Sequence, residues 1–333
     1  MRGFLIHNYM NTFRTRIIDS VADVSVIVGS AVGVGLISGK EAQVFIGSLP
    51  NALIFAAVIF AVLSVFREFC RKYAVNNVSA LALTCFGRFA AAFNAALSTC
   101  AFVCVVTCLA GVEQCLSDML YLSNFPLYAV AVAALSAVVM SKGISALKIC
   151  NVVSLIMTVA LFIALAFTSA PTPLPAVPKF YMPVIYALFT FTMSLSLSCR
   201  FGAKSSKRQN VARSAVSAVV LAVALTVVVA LSDFSQPLPA LSGIQSPLLK
   251  AYAVLTIALT SMCGIVGCAL PVCEFVDSVI CDKTLSSMCV FFLACAFSMF
   301  GFDFLVKYGY LFVASIGFSV VLSAFLKSRR KRV

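Results

Sequence analysis

Apolar runs long enough to cross a bilayer recur from one end of this chain to the other, and that constraint leaves few folds open. A span needs roughly 20 apolar residues. Such runs lie near residues 17–47, 49–66, 89–111, 126–141, 147–168, 180–199, 211–231, 249–272, 285–301 and 304–326, separated by short clusters of charge, Pro, Gly or Asn. Lipid offers the backbone no hydrogen-bond partners, so runs of this length must be helices that satisfy themselves. The expected fold is all-α, a polytopic membrane protein of about ten transmembrane helices. With 62% of its 333 residues hydrophobic and 11% charged, the chain is too apolar for a soluble globule. Residues 1–333 are expected to form a single integral membrane domain. No signal peptide is evident, because residues 1–16 are polar and basic and the first apolar run outlasts a leader.

The net charge of +13 follows from topology, with no call for a nucleic-acid partner. Lys and Arg concentrate in cytoplasmic loops. With these spans, twenty of the twenty-four basic residues fall on one side, and only Lys40, Lys179, Lys250 and Lys307 fall on the other. Both termini are therefore expected in the cytoplasm of a multi-pass cell-membrane protein. The fourteen cysteines are scattered singly with no C-x-x-C pair, and His7 is the only histidine. They read as packing residues in a reducing context, with no disulfide framework or zinc site. Cys100, Cys104 and Cys108 form an i, i+4 stripe suited to close helix contact.

The first apolar run carries Gly29, Gly33, Gly35 and Gly39, four glycines in eleven residues. Each costs about 1 kcal/mol against Ala in a helix interior. A break at bilayer depth survives only where it lines a cavity or is buried in protein. Broken helices of this kind hold solute in many secondary transporters, so this segment is the primary site candidate. An N-in chain of ten spans also divides into two five-span halves of opposite orientation, approximately 17–168 and 180–326. That five-plus-five inverted repeat makes the sixth span the partner of the first. Its hydroxyl run, Thr190-Phe191-Thr192-Met193-Ser194-Leu195-Ser196-Leu197-Ser198, can support a second break by bonding freed backbone groups, or can bond back within an ordinary helix.

Gly29-Ser30-Ala31-Val32-Gly33-Val34-Gly35-Leu36-Ile37 resembles the first-span signature of the amino acid-polyamine-organocation superfamily, which has the LeuT fold. The continuation Gly35-Leu36-Ile37-Ser38-Gly39-Lys40-Glu41 with Phe45 is similar to the YkvI-type membrane proteins, a narrower branch. The resemblance implies substrate at Gly29, Ser30, Gly33, Val34 and Gly35, facing Thr190, Thr192 and Ser194 of the sixth span. Superfamily amino acid carriers often place a Ser where this chain has Val34, so backbone amides and the helix dipole at residues 33–36 are left to hold an anion. The third span lines the central site in this fold, which brings forward Asn94 and Ser98, with Thr99 beside them; an interhelical hydrogen bond is the alternative. An adjacent Thr-Ser pair in the eighth span binds sodium in coupled members. Thr260 and Ser261 resemble it, with the carbonyls of Gly29 and Val32 as further ligands, although backbone bonding within the helix accounts for the pair equally well.

Acids at span depth are few. Asp19 and Asp23 stand on the cytoplasmic half of the first span, on an inner pathway or paired with Arg14 or Arg16. Charge pairs are expected to gate the two mouths: Arg14 or Arg16 with Glu274 and Asp277 inside, Lys40 with Asp303 or Glu41 with Lys307 outside. The alternative is that these residues sit in solvated loops. No nucleophile–base–acid set exists at span depth, which argues against an enzyme. The expected function is a secondary active transporter, a symporter or exchanger, for a small polar solute such as an amino acid, coupled to sodium or a proton and needing no other cofactor. A non-transporting sensor or assembly subunit on the same fold is the alternative.

Overall fold

The computed structural model describes residues 20–21, 23–30, 32–120, 126–169, 172 and 177–330, without the side chains of Lys283, Asp303, Lys307 and Arg330. The first segment is interrupted. Helix α1 covers residues 23–30, the backbone is non-helical at Val32 and Gly33, and α2 (Val34–Ser38) resumes. Gly39 ends α2 at φ 86°, where a Cβ would stand 2.9 Å from the amide nitrogen of Ala240, so only glycine fits. A π-helical turn, Ala42–Ile46, follows. Such turns concentrate at functional sites.

Helix α3 (Leu49–Tyr73) starts with Pro in its first turn and ends on Arg71 and Lys72, which complement the helix dipole. Helix α4 (Val78–Phe86) is capped by the Asn77 side chain, which accepts from the Ala80 amide. A 3-10 turn leads into α5 (Ala90–Leu120), then α6 (Leu127–Ser141) and α7 (Ile144–Ala166). Helices α8 (Met182–Met193) and α9 (Leu195–Lys204) meet at Ser194 with a bend of 68°. A capping box between Ser206 and Gln209 opens α10 (Lys207–Leu231). Helices α11 (Pro247–Ile280), α12 (Lys283–Ser298) and α13 (Phe302–Arg330) complete the chain. Helices α5 and α11, at 31 and 34 residues, overrun the spans expected at 89–111 and 249–272.

Six of the described helices are long and apolar enough to cross a membrane, or seven when the bent pair α8–α9 counts as one span. Two shorter apolar helices, Leu127–Ser141 and Thr284–Ser298, lie among them. The protein is thus a polytopic helical membrane protein. Its helices sort into two packed groups, α3 with α8, α9 and α10, and α5 with α6, α11 and α12. Helix α13 packs on both α8 and α5, and α2 lies against α5 and α11. The interrupted first segment therefore sits where the two groups meet.

Charge fixes one end of that segment. Asp23 is buried, and its carboxylate accepts from Arg67 Nη2 of α3 and Arg213 Nη1 of α10, each at 2.7 Å. Arg213 also donates to Ser205 and Ser20. Asp23 is therefore tied to these two helices; Arg14 and Arg16, expected as its partners, and Asp19 lie outside the described residues. Arg67 is fully buried, and Gly202 leaves room for it, since a Cβ there would stand 3.1 Å from the Arg67 Cα. Removing one partner of a buried pair strands the other charge and costs about 3–5 kcal/mol. Asp23→Ala should accordingly lower the thermal unfolding midpoint in detergent sharply, while Asp23→Leu with Arg67→Met should recover part of the loss. An unchanged midpoint in Asp23→Ala would show that this pair does not anchor α1.

Candidate functional site

The interruption leaves backbone oxygen bare. The Val32 amide still donates to the Val28 carbonyl at 2.7 Å and the Ile37 amide to the Gly33 carbonyl at 3.2 Å. Among the described residues, no backbone amide donates to the carbonyls of Gly29, Ser30 or Val32. Helix α11 lies directly against them. A Cβ on Gly264 would stand 3.8 Å from the Ser30 carbonyl oxygen and 3.9 Å from that of Gly29. Thr260 and Ser261, four and three residues earlier, share that face. Both are buried. The Thr260 hydroxyl donates to the carbonyls of Thr256 and Ile257, which leaves its lone pairs free, and Ser261 Oγ has no partner among the described residues. Bare carbonyls facing two hydroxyl oxygens are the donor set a hard cation takes, so these residues fit sodium.

The glycines act for different reasons. Gly29 gives room to Asn151 of α7, whose Oδ1 would lie 1.7 Å from an added Cβ and is itself unpartnered among the described residues. Gly35 gives room to the Glu41 carboxylate, at 2.5 Å from such a Cβ. Gly33, the residue before α2, is buried and has φ −93°, which any residue adopts. Among the described residues other than its chain neighbours, nothing stands within 4 Å of its Cβ position. A buried backbone beside open space is what a solute chamber requires. The expectation of a non-helical stretch over Gly29 to Gly35 is narrowed: Gly29 and Ser30 are helical and Gly35 lies in α2. Ser30 Oγ donates back to the Ile27 carbonyl, and the Val34 side chain packs on Gly111 of α5.

The second interruption comes to the same place. A Cβ on Gly267 would stand 3.4 Å from Ser30 Cβ and 3.5 Å from Leu197 Cδ1, so the end of α1 and the start of α9 converge on α11. Of the hydroxyls expected there, Ser194 sits at the bend and donates to the Phe191 carbonyl, and Thr190 is buried. Thr192 turns away, donating to Leu188 and Val313 carbonyls beside Gly317 of α13. On α5 the cysteine stripe, not Asn94 and Ser98, stands at this level: Cys104 lies by Cys268, whose thiol approaches the Met193 carbonyl. Asn94 is ten residues before Cys104, about 15 Å along a helix. Ser98 donates to the Pro271 carbonyl at 3.5 Å, and Thr99 is exposed and bonds the Ala95 carbonyl.

The residues expected at the gates are described in part. Glu274 pairs with Arg200 of α9, whereas Arg16 lies outside the described residues. The pair joins the two helix groups and borders a cavity of about 800 Å³ at the basic end, lined also by Lys148, Lys204 and Arg213. Asp277 is half-buried beside Glu274 in a second cavity. At the opposite end the Lys40 ammonium stands 5.8 Å from the centre of the Phe302 ring. Glu41 is buried, and accepts from Tyr186 of α8 at 2.6 Å and from Tyr310 of α13. The side chains of Asp303 and Lys307, expected as their partners, lie outside the described residues.

Arg67, Asn151, Tyr186, Arg200 and Tyr310 were not singled out for these roles by the sequence. Arg67 and Arg200 end apolar runs and look like interfacial anchors, while the two tyrosines resemble the aromatic filler of any span. Asn151 alone carried a signal, as a lone amide within an apolar run.

No protein-family model matches the chain, and no curated protein matches it in sequence. Solved structures do. Mhp1, a nucleobase-cation-symport-1 family transporter in a closed conformation with bromovinylhydantoin bound, aligns at 13% identity over 86% of this chain and 74% of its own, with a TM-score of 0.60. A Na+-coupled sialic acid symporter in a substrate-bound outward-open state aligns at 12% identity over 90% and 76%, with a TM-score of 0.62. Mhp1 in its inward-facing conformation aligns at 15% identity over 93% and 77%, with a TM-score of 0.59. The chain has the LeuT fold of these transporters.

The glycine environments separate by mutation. Gly33→Leu enters open space, so the protein should fold with a near-normal unfolding midpoint and lose solute binding. Gly35→Leu drives carbon into Glu41 and should destabilise by at least the 1–3 kcal/mol or so typical of overpacking. Equal loss of thermal stability in both variants would remove the chamber at Gly33.

Proposed function

We propose that the chain is an ion-coupled secondary carrier of a small polar solute, an amino acid or a related organic molecule, working by alternating access in the cell membrane. The interrupted segment 23–46, the bent pair α8–α9, six long helices and two shorter ones then make about ten spans. They form a five-plus-five inverted repeat with both termini in the cytoplasm. The first-segment signature favours the YkvI-type branch of the amino acid-polyamine-organocation superfamily. The observation that carries this proposal is the convergence of two helix interruptions on Gly264 and Gly267 of α11, beside open space at Gly33. Irregular backbone at membrane depth is tolerated where it lines a cavity or is buried in protein, and solute sites of secondary transporters are built this way.

Within this proposal the coupling ion is sodium, held by the carbonyls of Gly29 and Val32 with the hydroxyls of Thr260 and Ser261. The solute lies between Gly33 and the bend at Ser194, with Asn151 Oδ1 offering an acceptor near Gly29. The inner gate is Arg200–Glu274. Its side chains are 29% and 35% exposed, so water weakens the pair enough for it to break and re-form in each cycle.

A solute panel on reconstituted protein, first by thermal shift and then by uptake with and without a sodium gradient, tests the proposal. Uptake should require sodium, and Thr260→Ala with Ser261→Ala should abolish that requirement together with most of the uptake. Sodium-independent uptake unaffected by the double substitution would remove the sodium site. For the gate, Arg200→Glu should slow uptake, and adding Glu274→Arg should restore part of it. A double variant no faster than the single would show that the pair is not a gate.

A further inference from the structure

Glu41 is a buried carboxylate in the middle of the helix bundle, with 5% of its surface exposed. Its surroundings are built for it. Gly35 withholds a side chain where the carboxylate lies, and the π-helical turn Ala42–Ile46 begins at the next residue. One oxygen accepts from Tyr186 of α8 and the other from Tyr310 of α13, so both acceptor positions are used by phenols of two different helices. Phe45 stacks on both phenol rings, at 5.3 and 5.4 Å between centres, and Phe189 stacks on Tyr310 at 3.6 Å. The ion pairs formed by the described residues do not include Glu41. Asp23, a second buried acid among the described residues of the first segment, is held by two arginines.

We propose that Glu41 is a proton-binding site whose charge state decides whether α13 stays docked through Tyr310 against the first segment and α8. This rests on the carrier reading above and gives that carrier a second, proton-linked input. As an anion, Glu41 accepts from both phenols in charge-assisted bonds, which are about twice as strong as neutral ones. When a proton from water binds one carboxylate oxygen, that oxygen becomes a donor. The phenol facing it must turn its own proton away and can only accept, in a neutral bond about half as strong. The stack of Phe45, Tyr186, Phe189 and Tyr310 keeps water from substituting, so loosening of α13 accompanies protonation.

The titratable groups packed around Glu41 are few. Tyr186 and Tyr310 face it from α8 and α13, and the Cys108 thiol of α5 is close enough to feel its charge. Lys40 precedes it in sequence with its ammonium over Phe302. Asp303 and Lys307 of α13 have side chains outside the described residues. A pH response of α13 therefore has to be assigned to Glu41 by substitution.

Hydrogen–deuterium exchange of the detergent-solubilised full chain, corrected for intrinsic rates, tests this without any solute. On going from mildly alkaline to mildly acidic pH, exchange in residues 302–313 should rise roughly tenfold, the scale set by losing one hydrogen bond to a charged group. Glu41→Gln, which mimics the neutral acid, should exchange at the acid level at both pH values. Tyr310→Phe, which removes one donor and no charge, should flatten the response. Infrared difference spectra across the same step should show a neutral carboxyl band that Glu41→Gln lacks. Exchange in wild type that ignores pH, or a response that survives in Glu41→Gln, would overturn the proposal. Loss of the pH response beside intact sodium-driven uptake removes the proton site alone, whereas an intact response in a protein that takes up no solute removes the carrier reading alone.

Discussion

A helix that stops in the middle of a bilayer must do something with the backbone groups it frees, and this need organises the structure. Among the described residues the carbonyls of Gly29, Ser30 and Val32 have no backbone donor, and lipid can supply none. Protein surrounds them instead. Helix α11 presents glycines at 264 and 267 so that backbone can approach backbone, and Thr260 and Ser261 bring oxygen to the same face. The bend between α8 and α9 reaches this face through Leu197. Under the carrier proposal a hard cation completes such a set, since it accepts oxygen lone pairs from several directions at once.

The charged contacts of the structure differ in burial. Asp23, Arg67 and Arg213 lock the first segment to α3 and α10 with charges that are too buried to part cheaply. Between the helix groups the ties are of another kind, with half-exposed Arg200 and Glu274 meeting at the basic end. If the chain is the carrier proposed above, a contact of this kind between the helix groups can break and re-form without unfolding either group. Glu41 lies where the first segment, α8 and α13 meet, so its protonation reaches three elements at once.

The fold was legible in the sequence because lipid restricts it so strongly: run length yields spans, and clustered glycine yields the first break. The bend in the sixth segment was legible more faintly, from its run of hydroxyls. What escaped was orientation. Asn94 lies one turn before the adjacent Ser98 and Thr99, and sequence spacing alone left open which level of α5 faces the break, a place that Cys104 takes. Likewise Gly29, Gly33 and Gly35 look alike as letters. Only the neighbours distinguish room for Asn151, open space, and room for Glu41. Glu41 itself follows Lys40 and resembles a surface charge until α8 and α13 are seen to close over it.

The claim on which everything else rests is that solute is held between the first break and the bend at Ser194. An electron cryomicroscopy map of the protein bound to the solute found by the uptake panel addresses it most directly. The account predicts solute density against Gly33 and the Ser194 bend, with a separate smaller feature between Val32 and Ser261. Solute density confined to the cavity beside Arg200 and Glu274, or a first segment that runs as one continuous helix, would contradict it.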